Sequence, residues 1–283
     1  MSYFLDYYHP HAGLCNQLYL ITNHIHDAYN KGLKLFIHKF NIDIFKKNRI
    51  HADKVFDFEK TNENLKQLLG KDLIILKCPD LIEHIPKLCI YPVSSIEILN
   101  CLHFNSDIMK TVSGIQSTFP SGYYGVHFRL DIDAVLHYTF GKEIYTTFMN
   151  SSSPIEYFNG LDQTKIENYC QYLLRSYLTF ISQFGFDKPW YICTSILKSS
   201  IHAPMVKYLK EFIDFISNNN GKYFISNNKY PDRELNALVD LLVLRDSEKM
   251  IGFEGSSFSE GYCYKVNSIR KVTKEYLFVK EYP

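Results

Sequence analysis

The chain has 283 residues, of which 46% are hydrophobic and 22% are charged, so it has enough apolar material for one large domain or two ordinary ones. Its 31 basic residues nearly balance its 30 acidic residues, and the formal net charge is +1. This balance argues against a generic nucleic-acid binder, because such proteins carry a strong basic excess.

The cysteines and the first residues indicate the cellular compartment of the protein. The seven cysteines are scattered and form no C-x-x-C pair, which argues against a zinc site and is typical of free thiols in a reducing compartment. The opening MSYFLDYYHPHAG lacks the basic and apolar segments of a signal peptide, and no run of 18 apolar residues follows. We therefore expect a cytoplasmic protein without a membrane span.

The first forty residues predict one strand–loop–helix–strand unit. Strands are expected at 3–8 and 33–38, and a helix at 17–30, where apolar residues recur at helical spacing. The region 41–105 shows one clear apolar strand, at 73–76.

A second alternation of strands and helices begins at Tyr123. Short apolar strands are predicted at 123–128, 190–194, 222–225 and 250–253. Helices are predicted between them at 165–183, 204–217 and 232–247. Such alternation indicates a parallel sheet covered by helices on both faces. The sequence thus predicts an α/β fold with two Rossmann-like domains, residues 1–115 and 116–283.

The loop before the first helix, His11 to Gln17, reads HAGLCNQ. Backbone N–H groups at a helix start can bind an anion. Gly13 would let the backbone approach a ligand closely, and Asn16 could cap the helix. The spacing matches neither the dinucleotide motif G-x-G-x-x-G nor the P-loop. A simple strand-to-helix turn is the alternative.

The second candidate segment is HFRLDID, in which His127, Arg129, Asp131 and Asp133 would share one face of an extended strand. Ionisable groups at the carboxyl end of a buried strand are costly unless they are used there. Asp131 and Asp133 could hold a divalent metal against a nucleotide diphosphate, or His127 and Arg129 could hold the diphosphate without metal. An internal Arg–Asp cluster that stabilises a loop is the structural alternative.

The third segment lies near the C-terminus. A predicted helix containing Asp240 is followed by a short strand and the turn Gly255-Ser256-Ser257-Phe258. Hydroxyl and N–H groups in such a turn can bind a second anion, although Gly-Ser-Ser turns are common without function.

Together the three segments resemble the GDP-fucose-dependent fucosyltransferases of the protein O-fucosyltransferase superfamily. That superfamily has a glycine loop ending in Asn-Gln, as in residues 13–17 here, and an H-x-R-x-E/D-x-D motif, as in residues 127–133. It also has an Asp-apolar-apolar helix, a strand and a Ser-Ser-Phe turn, as in residues 240–259. The resemblance implies GT-B architecture, in which two Rossmann-like domains face a cleft that holds GDP-fucose.

The resemblance also implies roles for individual residues. Arg129 would bind the β-phosphate and stabilise the departing GDP, Asn16 would lie close to the reacting centre, and Asp131 is a further catalytic candidate. His127 and Asp240 would contact the nucleoside, with Asp240 at the guanine edge. The residues expected to bind the donor are Gly13, Leu14, Cys15, Asn16, His127, Arg129, Asp240, Ser256, Ser257 and Phe258.

The implied reaction is metal-independent, inverting transfer of L-fucose from GDP-fucose to a hydroxyl of a glycan or protein acceptor, without a cofactor. The proton acceptor stays open among His11, Asp131, Asp133 and Glu254. The expected compartment favours a cytoplasmic glycan or sugar precursor as acceptor. Two alternatives remain, namely a metal-dependent GT-A glycosyltransferase that uses Asp131 and Asp133, and a non-catalytic nucleotide- or glycan-binding module.

Overall fold

A computed structural model describes residues 2–5, 13–37, 39–43, 48–72, 74–77, 95–226 and 230–280. The chain divides into two compact units. The first unit comprises residues 1–118, 229–245 and 261–273, and the second comprises residues 119–228, 246–260 and 274–283. Each unit is therefore built from segments that are distant in sequence.

The N-terminal part of the first unit is a small α/β layer. Its elements are β1 (Ser2–Leu5), α1 (Leu14–Asn30), β2 (Lys34–Ile37), β3 (Lys39–Asp43), β4 (Asn48–His51), α2 (Phe58–Leu69), β5 (Ile75–Lys77), α3 (Ile96–Cys101) and α4 (Ser106–Gln116). Strands β1, β2 and β5 form a parallel sheet in that order, and β3 pairs with β4 antiparallel. The predicted first strand is confirmed over residues 3–5, and its residues 6–8 lie outside the described residues. The predicted first helix is confirmed, although it begins three residues earlier than expected.

The remaining elements begin at residue 124. They are β6 (Tyr124–His127), α5 (Ile132–Phe140), α6 (Lys142–Asn150), α7 (Pro154–Asn159), α8 (Gln163–Phe184), β7 (Trp190–Cys193), α9 (Val206–Asn218), β8 (Tyr223–Ile225), α10 (Arg233–Asp246), β9 (Lys249–Phe253), α11 (Lys265–Ile269) and β10 (Glu275–Val279). Helix α11 and nearly all of α10 belong to the first unit, and the other elements form the second.

The second unit is organised by one parallel sheet. Its strand order is β10-β9-β6-β7-β8. The four strands predicted beyond Tyr123 are confirmed as β6 to β9, and the three predicted helices as α8, α9 and α10, with bounds that differ by one or two residues. Strand β10 and helices α5 to α7 were not predicted. The mixed α/β class with mostly parallel strands agrees with the sequence-based expectation.

The core of the second unit lies between α8 and the sheet. Helix α8 starts where Asp162 accepts a hydrogen bond from the Lys165 N–H at 3.0 Å, and it ends at Gly185, whose φ of +90° suits glycine. Its buried face consists of Ile166, Tyr169, Cys170, Leu173, Leu174, Tyr177, Ile181 and Phe184. Burying each large apolar side chain contributes about 1.5–3 kcal/mol, so this face holds the helix firmly against the strands.

Side-chain amides extend the hydrogen bonding of the first unit's sheet. Asn62 of α2 accepts from the Ile74 and Ile75 N–H groups at 3.0 and 2.8 Å and donates to the Ile75 carbonyl at 2.7 Å. Gln17 of α1 makes the same reciprocal contact with the backbone of Asn41, at 2.9 and 3.1 Å. These contacts give the side-chain amides of Asn62 and Gln17 the hydrogen-bond partners that buried polar groups require. None of the described helices combines the length and apolar character that crossing a bilayer requires.

Candidate functional site

The sheet of the second unit has a topological switch point between β6 and β9. From β6 the chain proceeds to β7 and then β8 on one side, whereas β9 and β10 lie on the other side of β6. Connections therefore leave the carboxyl ends of β6 and β9 in opposite directions. In open parallel sheets, ligands bind in the crevice that this reversal creates. The loops that follow His127 and Phe253 are thus the candidate site.

The HFRLDID segment does not continue as a strand. Strand β6 ends at His127, and Asp131 is the N-cap of α5, where its Oδ1 accepts the Ala134 N–H at 3.1 Å. Asp133 lies in the first turn of α5. The expectation that His127, Arg129, Asp131 and Asp133 share one extended face is therefore wrong. The reason is local: an aspartate before an apolar helical run caps a helix more favourably than it extends a strand.

Arg129 places a positive charge and an unpaired hydrogen-bond donor at the candidate site. Its Nε is buried and has no hydrogen-bond partner. Burial by itself would lower the pKa of Arg129, but the nearby carboxylates of Asp131 and Asp133 outweigh burial and raise it. The guanidinium therefore stays charged. A buried, charged donor without a partner is expensive, and an anionic ligand would satisfy it.

Asp131 is held by several contacts. Its second oxygen, Oδ2, accepts the Ser195 hydroxyl at 2.8 Å, from the segment that follows β7. Burial would raise the pKa of Asp131, but Arg129, His202 and the Ser195 hydrogen bond outweigh burial and lower it to about 2. A carboxylate with so low a pKa is a weak base. Its contacts suit it to starting α5 and to placing a negative charge beside Arg129.

His127 connects the two loops of the candidate site. Its Nδ1 lies 3.2 Å from the Ser259 hydroxyl oxygen, and its ring centroid lies 4.8 Å from that of Phe258 at an interplanar angle of 31°. Burial, followed by the charge of Arg129, lowers the pKa of His127 to about 3. The imidazole is therefore neutral at physiological pH, so it contributes hydrogen bonding and a flat surface, and Arg129 contributes the positive charge.

The serine turn follows β9 and is closed by its own side chains. The Ser256 hydroxyl oxygen accepts the N–H groups of Phe258 and Ser259 at 3.2 and 3.4 Å. Gly255 has a φ of +73°, and its N–H donates to the Glu260 carboxylate at 2.6 Å. Ser256 is buried, whereas Ser257 and Phe258 are partly exposed. The predicted turn is therefore present beside His127, and phosphate binding by Ser256 and Ser257 stays a prediction.

The first unit contains the other predicted segment. Gly13 is the N-cap of α1 with an extended backbone, so the expectation that Asn16 caps the helix is wrong, because the helix begins at Leu14. The Leu14 N–H donates to Oε2 of Glu234 at 2.7 Å, and Glu234 is 2% exposed. A carboxylate of the chain itself therefore occupies one of the N–H groups that were expected to receive an anion.

The remaining candidates are placed as follows. Leu14 and Cys15 are buried and Asn16 is partly exposed in the first turn of α1. Asp240 is 2% exposed on α10 of the first unit, and its contact with guanine stays a prediction. Glu254 is exposed after β9. His11 lies outside the described residues. Within the described ranges, no group of three or more His, Cys, Asp or Glu side chains is placed to hold a metal ion.

Three contacts of the site were not anticipated from the sequence. Tyr177, Ser195 and Ser259 bond His127, Arg129 or Asp131, yet Tyr177 reads as an ordinary apolar position of α8 and Ser195 as a loop residue. Ser259 ends the third candidate segment, and nothing in the sequence identifies His127 as its partner. Only the pairing of the strands, which no single sequence reveals, brings these residues to the candidate site.

Solved structures of POFUT1, a GDP-fucose protein O-fucosyltransferase, have a similar fold. The chain matches POFUT1 in complex with GDP with a TM-score of 0.60 at 11% identity, over 98% of each chain. It matches the apo form of POFUT1 with a TM-score of 0.51 at 12% identity, over 98% of this chain and 97% of that one. A POFUT1 complex with GDP-fucose matches with a TM-score of 0.42 at 15% identity, over 64% of this chain, and the chain spans about half of that protein, 48%. No protein-family model and no curated protein matches the sequence.

Proposed function

We propose that this chain is a glycosyltransferase that transfers L-fucose from GDP-fucose to a hydroxyl acceptor, with inversion and without a metal ion. The observation that carries the proposal is the charged guanidinium of the partly buried Arg129, whose Nε atom is buried. The Nε of Arg129 has no hydrogen-bond partner, and Arg129 lies two residues after His127, at the switch point of the sheet. The fold of the chain resembles that of POFUT1, a protein solved with GDP. That the two units act as the two halves of a GT-B enzyme is part of the proposal.

The chemistry of fucose transfer fits this arrangement. The reaction must stabilise a departing diphosphate, and a preorganised cation in a buried site does so strongly. A guanidinium can bind phosphate oxygens with two parallel hydrogen bonds, which a lysine ammonium cannot. In this proposal Arg129 binds the β-phosphate, His127 and Phe258 support the nucleoside, and Ser256 and Ser257 contact phosphate oxygens. Asp240 binds guanine, and Asn16 lies near the reacting centre.

The pKa of Asp131 bears on the mechanism. A carboxylate with a pKa near 2 accepts a proton poorly from an acceptor hydroxyl. We therefore assign Asp131 the task of orienting Arg129 and leave proton acceptance to another group. The same contacts disfavour the metal-dependent alternative, because both oxygens of Asp131 already accept hydrogen bonds from Ala134 and Ser195.

The test is a nucleotide panel followed by a turnover assay. GDP should raise the melting temperature more than UDP, ADP or CMP at equal concentration, since a ligand at about 100 times its Kd stabilises by about 2.7 kcal/mol. GDP-fucose should then be consumed in the presence of an acceptor mixture. Preferential stabilisation by UDP would contradict the proposed donor. Binding of GDP without consumption of GDP-fucose would favour a non-catalytic binding module.

A further inference from the structure

The hydroxyl of Tyr177 lies between two backbone groups of the candidate site. It accepts the Arg129 N–H at 3.0 Å and donates to the His127 carbonyl at 2.8 Å. Tyr177 belongs to α8 and is fully buried. Its ring packs against Phe128, with centroids 4.9 Å apart, and near Phe212, at 6.1 Å. The backbone of residues 127–129 is therefore bonded to a side chain of the core.

These two backbone groups lack a strand partner. The pairing of β6 with β9 stops at Val126 and Ile251, whereas the Phe128 N–H still donates to the Cys193 carbonyl of β7 at 2.9 Å. A buried N–H or carbonyl without a partner is costly. Beyond the end of the β6–β9 pairing, the Tyr177 hydroxyl bonds the His127 carbonyl and the Arg129 N–H in place of a strand. Burial raises the pKa of Tyr177, so the hydroxyl keeps the proton that it donates to His127.

We propose that Tyr177 is a positioning residue, which fixes the backbone between His127 and Arg129 and thereby aims the Arg129 guanidinium at the diphosphate. The proposal rests on the proposed function. The role is indirect, because the tyrosine hydroxyl bonds the backbone of His127 and Arg129. Small displacements of a positioned group reduce rates strongly, so the effect should appear in kcat.

The first experiment compares Tyr177→Phe with Tyr208→Phe. Tyr208 is a matched control, because it is also buried in the second unit and its hydroxyl donates to Glu167, on α8, at 2.5 Å. Both variants lose one buried hydroxyl and should lose thermal stability. Tyr177→Phe should lower kcat for GDP-fucose about 10- to 100-fold with a smaller change in KM. Tyr208→Phe should keep kcat within about twofold of the wild type. An equal loss of kcat in both variants would overturn the proposal.

The second experiment asks whether Tyr177 acts through Arg129. In an Arg129→Ala background the guanidinium is absent, so adding Tyr177→Phe should change kcat by less than about twofold. A loss as large as that in the wild-type background would show that the hydroxyl acts independently of Arg129, and the positioning role would be wrong. The wild type, the two single variants and the double variant also form a double-mutant cycle, in which GDP affinity is measured by calorimetry.

A third measurement needs neither ligand nor variant. In the wild-type chain the Arg129 amide should exchange with deuterium as slowly as the Phe128 amide, because both are bonded inside the core. Exchange at the rate of an exposed loop amide would overturn the proposal even if Tyr177→Phe failed to fold. A wild-type protein that binds no GDP and consumes no GDP-fucose would instead contradict the proposed function, and the positioning role with it.

Discussion

The Nδ1 atom of His127 lies 3.2 Å from the Oγ atom of Ser259, and this contact joins the loops on the two sides of the switch point. Ser259 is itself bonded to the backbone of Phe253, accepting the N–H at 2.9 Å and lying 3.2 Å from the carbonyl. The position of His127 is thus fixed relative to both β6 and β9. One hydroxyl therefore holds the two loops on which the proposed nucleotide site depends.

Replacement of Ser259 by alanine should loosen this connection. The change leaves buried groups of Phe253 and His127 without a partner, and each such group costs about 1–3 kcal/mol. We expect a lower melting temperature and weaker binding of GDP, measured by thermal unfolding and calorimetry. Ser182→Ala is the control, since its exposed hydroxyl bonds only the preceding turn of α8 at Leu178. Unchanged GDP affinity in Ser259→Ala would contradict a role for this contact in the site.

Arg129→Ala should be the most damaging single change for turnover. Removal of a preorganised donor aimed at developing charge costs about 10²–10³ in rate. Arg129→Lys should recover little of this loss, because an ammonium cannot form the two-pronged contact. Arg175→Ala, on the exposed face of α8, should leave turnover unchanged. The measurement is GDP-fucose consumption, with circular dichroism as the check on folding, and a folded Arg129→Ala enzyme with near-wild-type turnover would contradict the mechanism.

Turnover should persist in excess EDTA. In the proposed mechanism Arg129 supplies the positive charge that a metal ion would otherwise provide, and both oxygens of Asp131 accept hydrogen bonds, from Ala134 and Ser195. Asp131→Asn keeps a side chain that can cap α5 but removes the charge beside Arg129, so activity should fall. Added manganese or magnesium should not restore it. Activity that disappears with the chelator and returns with the metal would revive the GT-A alternative.

Stability should decrease as the pH falls from 6.5 towards 5. Burial lowers the pKa of His24 to about 4 and that of His127 to about 3, below the ordinary value of 6.5. Below pH 6.5 the unfolded chain binds protons that the folded chain does not. The contribution of these two neutral histidines to stability is therefore fully present above pH 6.5 and is lost as the pH falls towards their pKa values in the folded chain. Each histidine contributes at most about 1.4 kcal/mol per pH unit. Thermal unfolding at several pH values measures the slope, and His24→Gln should reduce it. A flat profile between pH 6.5 and 5 would contradict this prediction.

The fold was predictable where periodicity is strong. Strands β6, β7 and β9 are short apolar runs, and apolar residues recur at helical spacing along α8. The pattern of apolar residues alone therefore identifies these elements. The region between β4 and α4 is polar or irregular in pattern, and its helices owe their position to contacts such as that of Asn62 with β5. Strand β10 pairs with β9 across the intervening helix α11, and a local pattern does not record such a pairing.

The candidate site was predictable as a set of residue types and only in part as a geometry. The order of charged residues drew attention to His127 and Arg129. The pattern around Asp131 is compatible with both an extended strand and a helix N-cap, and in the structure Asp131 caps α5. The role of Glu234 at the start of α1 could not be read from the sequence, because Glu234 and Leu14 lie 220 positions apart. Such contacts follow from tertiary structure, which outweighs local preference.

The division of each unit among distant segments has a consequence for synthesis on the ribosome. When residue 228 has left the exit tunnel, the first unit still lacks α10, whose Glu234 bonds the start of α1, and the second still lacks β9, the neighbour of β6. Neither unit can then reach its final packing, although more than three quarters of the chain has been made. Nascent chains of this protein should therefore stay exposed to chaperones and proteases until α10 and β9 have been made, and fragments that end at residue 228 should aggregate.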